Sequence, residues 1–233
     1  MRRVRPLYGF AALLAFIGLG SGCGDVSIPV DLALEQPSEL SLVLPEGPAS
    51  TSLVGGVETT IVADLGLLRL LGAMVGQALP ADIQIDDVLI AGTAIPVFGG
   101  LVNTGTVCVF QDPAVPSSGS AAFNLLLGTA AFEMSLNTRL GLTDPTFNAM
   151  LGGPQAFTQE IAAVVPISLS DMLAIMGGTG GGLAISQDVD ATFGPVPVLG
   201  TVHVTGTLTL ASTDTPPVDP LLDDCVAYIA GLP

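Results

Sequence analysis

The sequence predicts a β-rich α+β fold: two pseudo-repeats of antiparallel strands with one helix each, packed as one domain, plus a short C-terminal helix. Three observations predict it. Apolar residues alternate with period two in several stretches, the mark of half-buried strands. A fifteen-residue segment recurs at an offset of 101 residues. Hydrophobic residues make up 49% of the chain and 29 glycines add to that. This apolar share exceeds that of an ordinary soluble domain, so the two halves must pack on each other.

The elements follow in order. Val26, Ile28, Val30, Leu32 and Leu34 alternate, and so do Leu40, Leu42 and Leu44. Glu35-Gln36-Pro37-Ser38-Glu39 between them is turn chemistry. Pro45 to Gly56 reads as a loop rich in Pro, Gly and Ser, and Thr59 to Ala63 as a short strand. Asp64 caps a helix from Leu65 to Ala78, which Pro80 ends. Ile83 to Ala91 reads as a strand. In the second half, Phe132, Met134, Leu136, Leu140 and Leu142 mark a strand and Ile161 to Ile167 a short apolar run. Ser168 or Ser170 caps a short helix from Asp171 to Met176. Gly177 to Gly182 is a break, followed by strands at Leu183 to Phe193 and Val202 to Leu210. Asp219 to Leu232 reads as a final helix with Leu221, Leu222, Cys225, Val226 and Ile229 on one face.

The duplication pairs Ile95 to Val109 with Val196 to Leu210 without gaps. Pro96, Val97, Gly99, Thr104, Gly105 and Thr106 recur as Pro197, Val198, Gly200, Thr205, Gly206 and Thr207. Upstream at the same offset, Asp87-Val88 meets Asp188-Val189. A long-period repeat bears on the whole fold. It divides the chain into a single domain, 23–233, made of repeats 26–121 and 122–211 with a C-terminal segment, 212–233.

Residues 1–22 read as a removable signal. Met1 to Arg5 is basic, Leu7 to Leu19 is apolar, and the stretch is too short to span a bilayer. Small residues Gly20, Ser21 and Gly22 then precede Cys23. Leu19-Gly20-Ser21-Gly22-Cys23 resembles the lipobox of bacterial lipoproteins. Gly20 stands where the pattern prefers Leu, and Leu19 lies one residue earlier. The resemblance implies cleavage before Cys23, acylation of its sulfur and amine, and partnership with the membrane through that anchor. Gly24, rather than the Asp of inner-membrane retention in enteric bacteria, implies the outer membrane, facing the periplasm or the outside. Only Asp25 and Gly24 separate Cys23 from the first strand, so the domain sits close to the membrane.

Cleavage leaves Arg69 and Arg139 against all 21 acids, a net charge near −19. Such a surface repels polyanions and excludes nucleic acid as a partner. Acid clusters at Asp86-Asp87, Asp188-Val189-Asp190 and Asp223-Asp224 read as surface charge. Asp188 and Asp190 project from one strand face, the arrangement a Ca2+ ion would need. With Cys23 lipidated, Cys108 and Cys225 remain, and an oxidising compartment predicts that they pair. The alternative is two buried free thiols.

Catalytic chemistry finds no purchase. His203 is the only histidine and lies on a strand face with Thr201, Thr205, Thr207 and Thr209, without a nucleophile elbow. No cofactor motif is present, and Gly177 to Gly182 lacks the features of a phosphate loop. The expected function is non-enzymatic: a lipid-anchored envelope protein binding a lipid or another apolar molecule in its interior. The alternative is a cell-surface structural or protein-interaction module, with Ca2+ as a partner at Asp188 and Asp190.

Overall fold

Alternating apolar and polar residues build long antiparallel strands here, several of them longer than the sequence stretches suggest. The computed structural model describes residues 25–36, 38–44, 46–64, 72–73, 75–98, 100–124, 126–168, 170–171, 182–196, 200–215 and 217–232. The first strands are β1 (Asp25–Leu34), β2 (Ser38–Leu44), β3 (Gly47–Asp64) and β4 (Leu79–Gly92). A small hairpin, β5 (Pro96–Val97) and β6 (Val102–Asn103), precedes β7 (Val107–Gln111), β8 (Ser118–Asn124) and β9 (Thr129–Leu142). Helix α1 (Pro145–Leu151) leads into β10 (Gln155–Pro166), then β11 (Ala184–Val196), β12 (Gly200–Thr213) and helix α2 (Pro220–Ala230).

Apart from the β5–β6 hairpin, the strands form one sheet of ten. Two pairs of strands lie end to end. β1 and β2 both pair with β3 on one side and with β12 on the other, closing a four-strand ring. β7 and β8 lie the same way between β4 and β9. The ten strands therefore fill eight positions in a meander that begins at β11 and ends at β10. β10 and β11 then pack against each other without a backbone ladder among the described residues. The sheet thus curls into a barrel whose wall is hydrogen-bonded except at this one seam.

This architecture corrects the α+β expectation with one helix per repeat. The fold is a β-barrel with short helices at its margins. Most strands alternate over most of their length, and curling the sheet supplies the second apolar layer that helices were expected to provide. The expected helices at 65–78 and 171–176 fall largely outside the described residues. The second half instead places α1 where no helix was expected. Asp144 caps it, accepting from the backbone N–H groups of Thr146 and Phe147 at 2.9 and 3.1 Å. Pro145 opens the first turn and left-handed Gly152 ends it.

The expected loop from Pro45 to Gly56 is also corrected, because it is largely strand β3. Gly55 and Gly56 are there because neighbouring backbone comes very close. A Cβ on Gly55, at φ +123°, would lie 2.2 Å from the Leu89 carbonyl oxygen. One on Gly56 would lie 2.0 Å from that of Leu32. Glycine here lets three strands cross tightly rather than breaking the strand.

At the offset of 101, Val107–Val109 of β7 falls on Leu208–Leu210 of β12, and Asp87-Val88 of β4 on Asp188-Val189 of β11. The residues between behave differently. Pro96–Val97 and Val102–Asn103 pair as the β5–β6 hairpin, whereas residues 200–206 are already strand.

The barrel interior holds two packed clusters. One fills the end where β1 begins, around Ile28, Ile61, Ile83, Phe132 and Ile185. The other fills the far end, where Ile95 and Val97 of the hairpin segment and Phe147 of α1 meet Leu44, Leu142 and Val202. A third cluster lies outside the wall, where α2 covers Ala91, Cys108 and Phe110. Cys108 and Cys225 form the expected disulfide there, with Cα atoms 5.5 Å apart. Tyr228 of α2 lies flat enough on β9 that a Cβ at Gly141 would come within 2.5 Å of its ring. Its hydroxyl donates to Asn148 Oδ1 of α1 at 2.8 Å, tying the two helices together. Burial raises the Tyr228 pKa, and that hydrogen bond only partly offsets the rise.

Candidate ligand-binding site

Between the two interior clusters the barrel is not filled. Inward side chains from every strand position surround a cavity of about 220 Å³. The lining is Leu, Val and Ile, with Phe157 and a few threonines and glutamines, and no charged residue among the described ones. Leu40, Ile90, Val109, Leu140 and Leu208 point inward yet are only half-buried, because they face this space. Over most of this lining water finds no hydrogen-bond partner, so the space suits an apolar occupant. On the scale measured for engineered core cavities, leaving such a volume empty costs about 5 kcal/mol. A molecule that fills it recovers that loss.

The cavity reaches the seam. Phe157, Gln159 and Ile161 of β10 line it, as do Gln187 and Val189 of β11. Both glutamines are half-buried. Gln159 Nε2 donates to the Glu160 carbonyl at 3.0 Å, and Gln187 Nε2 to that of Asp188 at 2.8 Å. Thr138 of β9 lines the cavity beside β10, and its cross-strand neighbour Gln111 keeps a buried amide oxygen with no partner among the described residues. A set of polar side chains, Gln111, Thr138, Gln159 and Gln187, thus interrupts an otherwise apolar interior. Sequence reading missed it, because isolated glutamines in strands carry no signal until the strands are assembled.

The outer surface is the reverse. Glu133, Ser135, Asn137 and Arg139 of β9 point outward, as do Thr205, Thr207 and Thr209 of β12. A membrane-spanning barrel shows the opposite polarity, apolar outside and polar within. Among the described residues no helix is long and apolar enough to cross a membrane.

The residues singled out from sequence lie apart from the cavity. His203 sits on the outer face, with Nδ1 3.3 Å from Thr192 Oγ1 and Nε2 3.6 Å from Asp190 Oδ1. Asp190 therefore turns toward His203, while Asp188 accepts from Thr207 Oγ1 at 2.7 Å. The two carboxylates serve different neighbours, and among the described residues no group of three or more His, Cys, Asp or Glu is placed to hold a metal. Cys23 lies outside the described residues. Arg139 reaches the buried carboxylate of Asp112 at 3.1 Å, and Asp112 also accepts from the Ala114 backbone N–H. That pair pins the 112–117 excursion between β7 and β8.

In a regular strand Asp86 and Asp87 would point to opposite faces. A β-bulge opposite Glu58 and Thr59 turns both outward and keeps Val88 inside. The register then places Asp31, Glu58 and Asp87 side by side on three strands. Desolvation, and then repulsion from Asp31, Asp87 and Asp86, raises the Glu58 pKa. A raised carboxylate pKa means stability that is complete below the unfolded pKa and is lost as pH rises through the folded one. Glu58→Gln is therefore expected to raise Tm at pH 7 by on the order of 1–2 °C, screening keeping the gain small. The gain vanishes below the carboxylate range and shrinks in 0.5 M salt. Thermal melts of both proteins across pH check this.

Compared with family models, curated proteins and solved structures, this chain matches none.

Proposed function

We propose that the protein is a lipid-anchored envelope protein that carries a lipid or another apolar molecule inside its barrel and performs no catalysis. The single observation that carries this reading is the unfilled apolar cavity in the middle of a barrel with a polar exterior. A second feature supports the anchoring part. Val75, Leu126 and Leu127 are 77%, 70% and 71% exposed, in loops at the end of the barrel where β1 begins. Gly76 and Leu126 bring these loops into contact. Exposed aliphatic loops at the end where the described chain starts, two residues after Cys23 in sequence, suit contact with acyl chains.

The test is native mass spectrometry of the full chain carrying Cys23→Ala, purified without detergent. The expected spectrum shows the protein with a copurifying lipid of defined mass. An apo mass, together with no binding of the fluorescent apolar probe N-phenyl-1-naphthylamine, would overturn the reading.

A further inference from the structure

We propose that the cavity selects uncharged single-chain lipids, with the chain in the barrel and the hydroxyl or ester group at the β10–β11 seam against Gln159 and Gln187. This rests on the reading of the barrel as a lipid carrier and adds the ligand's chemical class.

Three observations carry it. The seam is the one place, among the described residues, where the barrel wall lacks a backbone ladder. Every other pair of neighbouring strands is tied by a ladder, interrupted only where β1 gives way to β2 and β7 to β8, so at the seam a polar end group meets the wall without breaking a ladder. At the seam two amides, Gln159 and Gln187, stand among the inward apolar residues Phe157, Ile161 and Val189. Each glutamine donates one N–H to its own strand, to the carbonyl of Glu160 or Asp188. The amide oxygen and the second N–H of each meet no protein partner among the described residues. A neutral amide with a donor and an acceptor matches a hydroxyl or an ester.

Charge supplies the exclusion. Among the described residues no ionised side chain lines the cavity, so a carboxylate or phosphate drawn inside would be desolvated without a counter-charge. The outward residues next to the glutamines are Glu160 on β10 and Asp188 and Asp190 on β11, all exposed. Both strands of the seam therefore carry exposed carboxylates, Glu160 held by Ser135 of β9 and Asp188 by Thr207 of β12, and their negative charge repels an anionic head group. The same like charges oppose pairing of these free edges with another copy of the chain.

The experiment is displacement of N-phenyl-1-naphthylamine from the full chain carrying Cys23→Ala, at pH 8, by 1-oleoylglycerol and by oleate. These share one acyl chain and differ in head-group charge. The expected result is that 1-oleoylglycerol binds at least about tenfold tighter. Gln159→Leu with Gln187→Leu is expected to erase the roughly tenfold preference for 1-oleoylglycerol over oleate. Glu160→Gln with Asp188→Asn is expected to tighten oleate binding several-fold. Equal affinities for the two lipids, or indifference to both double variants, would overturn the selectivity. Failure of the probe itself to bind would instead overturn the carrier reading.

Discussion

Replacing Cys108 and Cys225 together by alanine is expected to lower the folding stability by about 4–5 kcal/mol. The bridge closes a loop of 117 residues, from β7 in the wall to α2 at the end of the chain. Loop-closure entropy in the unfolded ensemble grows slowly with length, and a loop this long lies near the top of the range. The sulfurs also sit among fully buried neighbours, since both cysteines are 0% exposed. Their removal leaves a small gap under α2, beside Ala91, Phe110 and Leu222. α2 does not hang on the bridge alone. Asp219 caps its first turn and Tyr228 reaches Asn148. The folded state of the variant is therefore expected to keep the helix in place. Urea unfolding checks this: the midpoint falls, and the m-value rises because the unlinked chain exposes more surface. An unchanged midpoint would mean that the unfolded chain is already held compact by other contacts.

The local alternation was readable in the sequence, and the way it closes was not. Val26 to Leu34, Leu40 to Leu44 and Phe132 to Leu142 alternate cleanly, and they became β1, β2 and β9 with the apolar side chains inward. β3 was obscured because Gly47, Pro48, Gly55 and Gly56 read as loop residues. Their purpose becomes visible only when the carbonyls of Leu32 and Leu89 are placed against them. α1 had signals in plain view, Asp144-Pro145 at its start and Gly152-Gly153 at its end, but it is short and was masked by the strands around it. The apolar excess showed that the two halves pack on each other, but not where side chains leave a space between them. Only strand register decides which side chains face the same space. Leu40, Val109, Leu140 and Leu208 lie far apart in sequence and line one cavity. The disulfide was legible by counting, since one of the three cysteines was assigned to the anchor. The acidic row of Asp31, Glu58 and Asp87 was not, because cross-strand neighbours have no sequence spacing.

Filling the cavity from within is expected to abolish lipid binding while leaving the fold intact. Leu140 is the residue to enlarge. It projects inward from β9, opposite Val109 of β7 and Gln155 of β10, and it borders the cavity while half-buried. A Leu140→Trp side chain therefore enters open space rather than a packed contact. Overpacking a filled core costs roughly 1–3 kcal/mol, but filling a void recovers stability in proportion to the volume removed. The expected outcome is an affinity for N-phenyl-1-naphthylamine reduced at least about tenfold, with Tm of the ligand-free protein unchanged or raised. Val43→Trp is the control. Val43 is 53% exposed on β2 between the inward residues Leu42 and Leu44, so its enlargement leaves the cavity alone. Probe affinity is expected to be that of the unmodified chain. The disulfide variant gives the opposite pattern, a large loss of stability with probe affinity retained, because its bridge lies outside the wall. Probe fluorescence titrations and thermal melts of the three variants separate these effects. If Leu140→Trp binds the probe as well as Val43→Trp does, the ligand does not occupy the barrel, and the site must be sought on the outer surface.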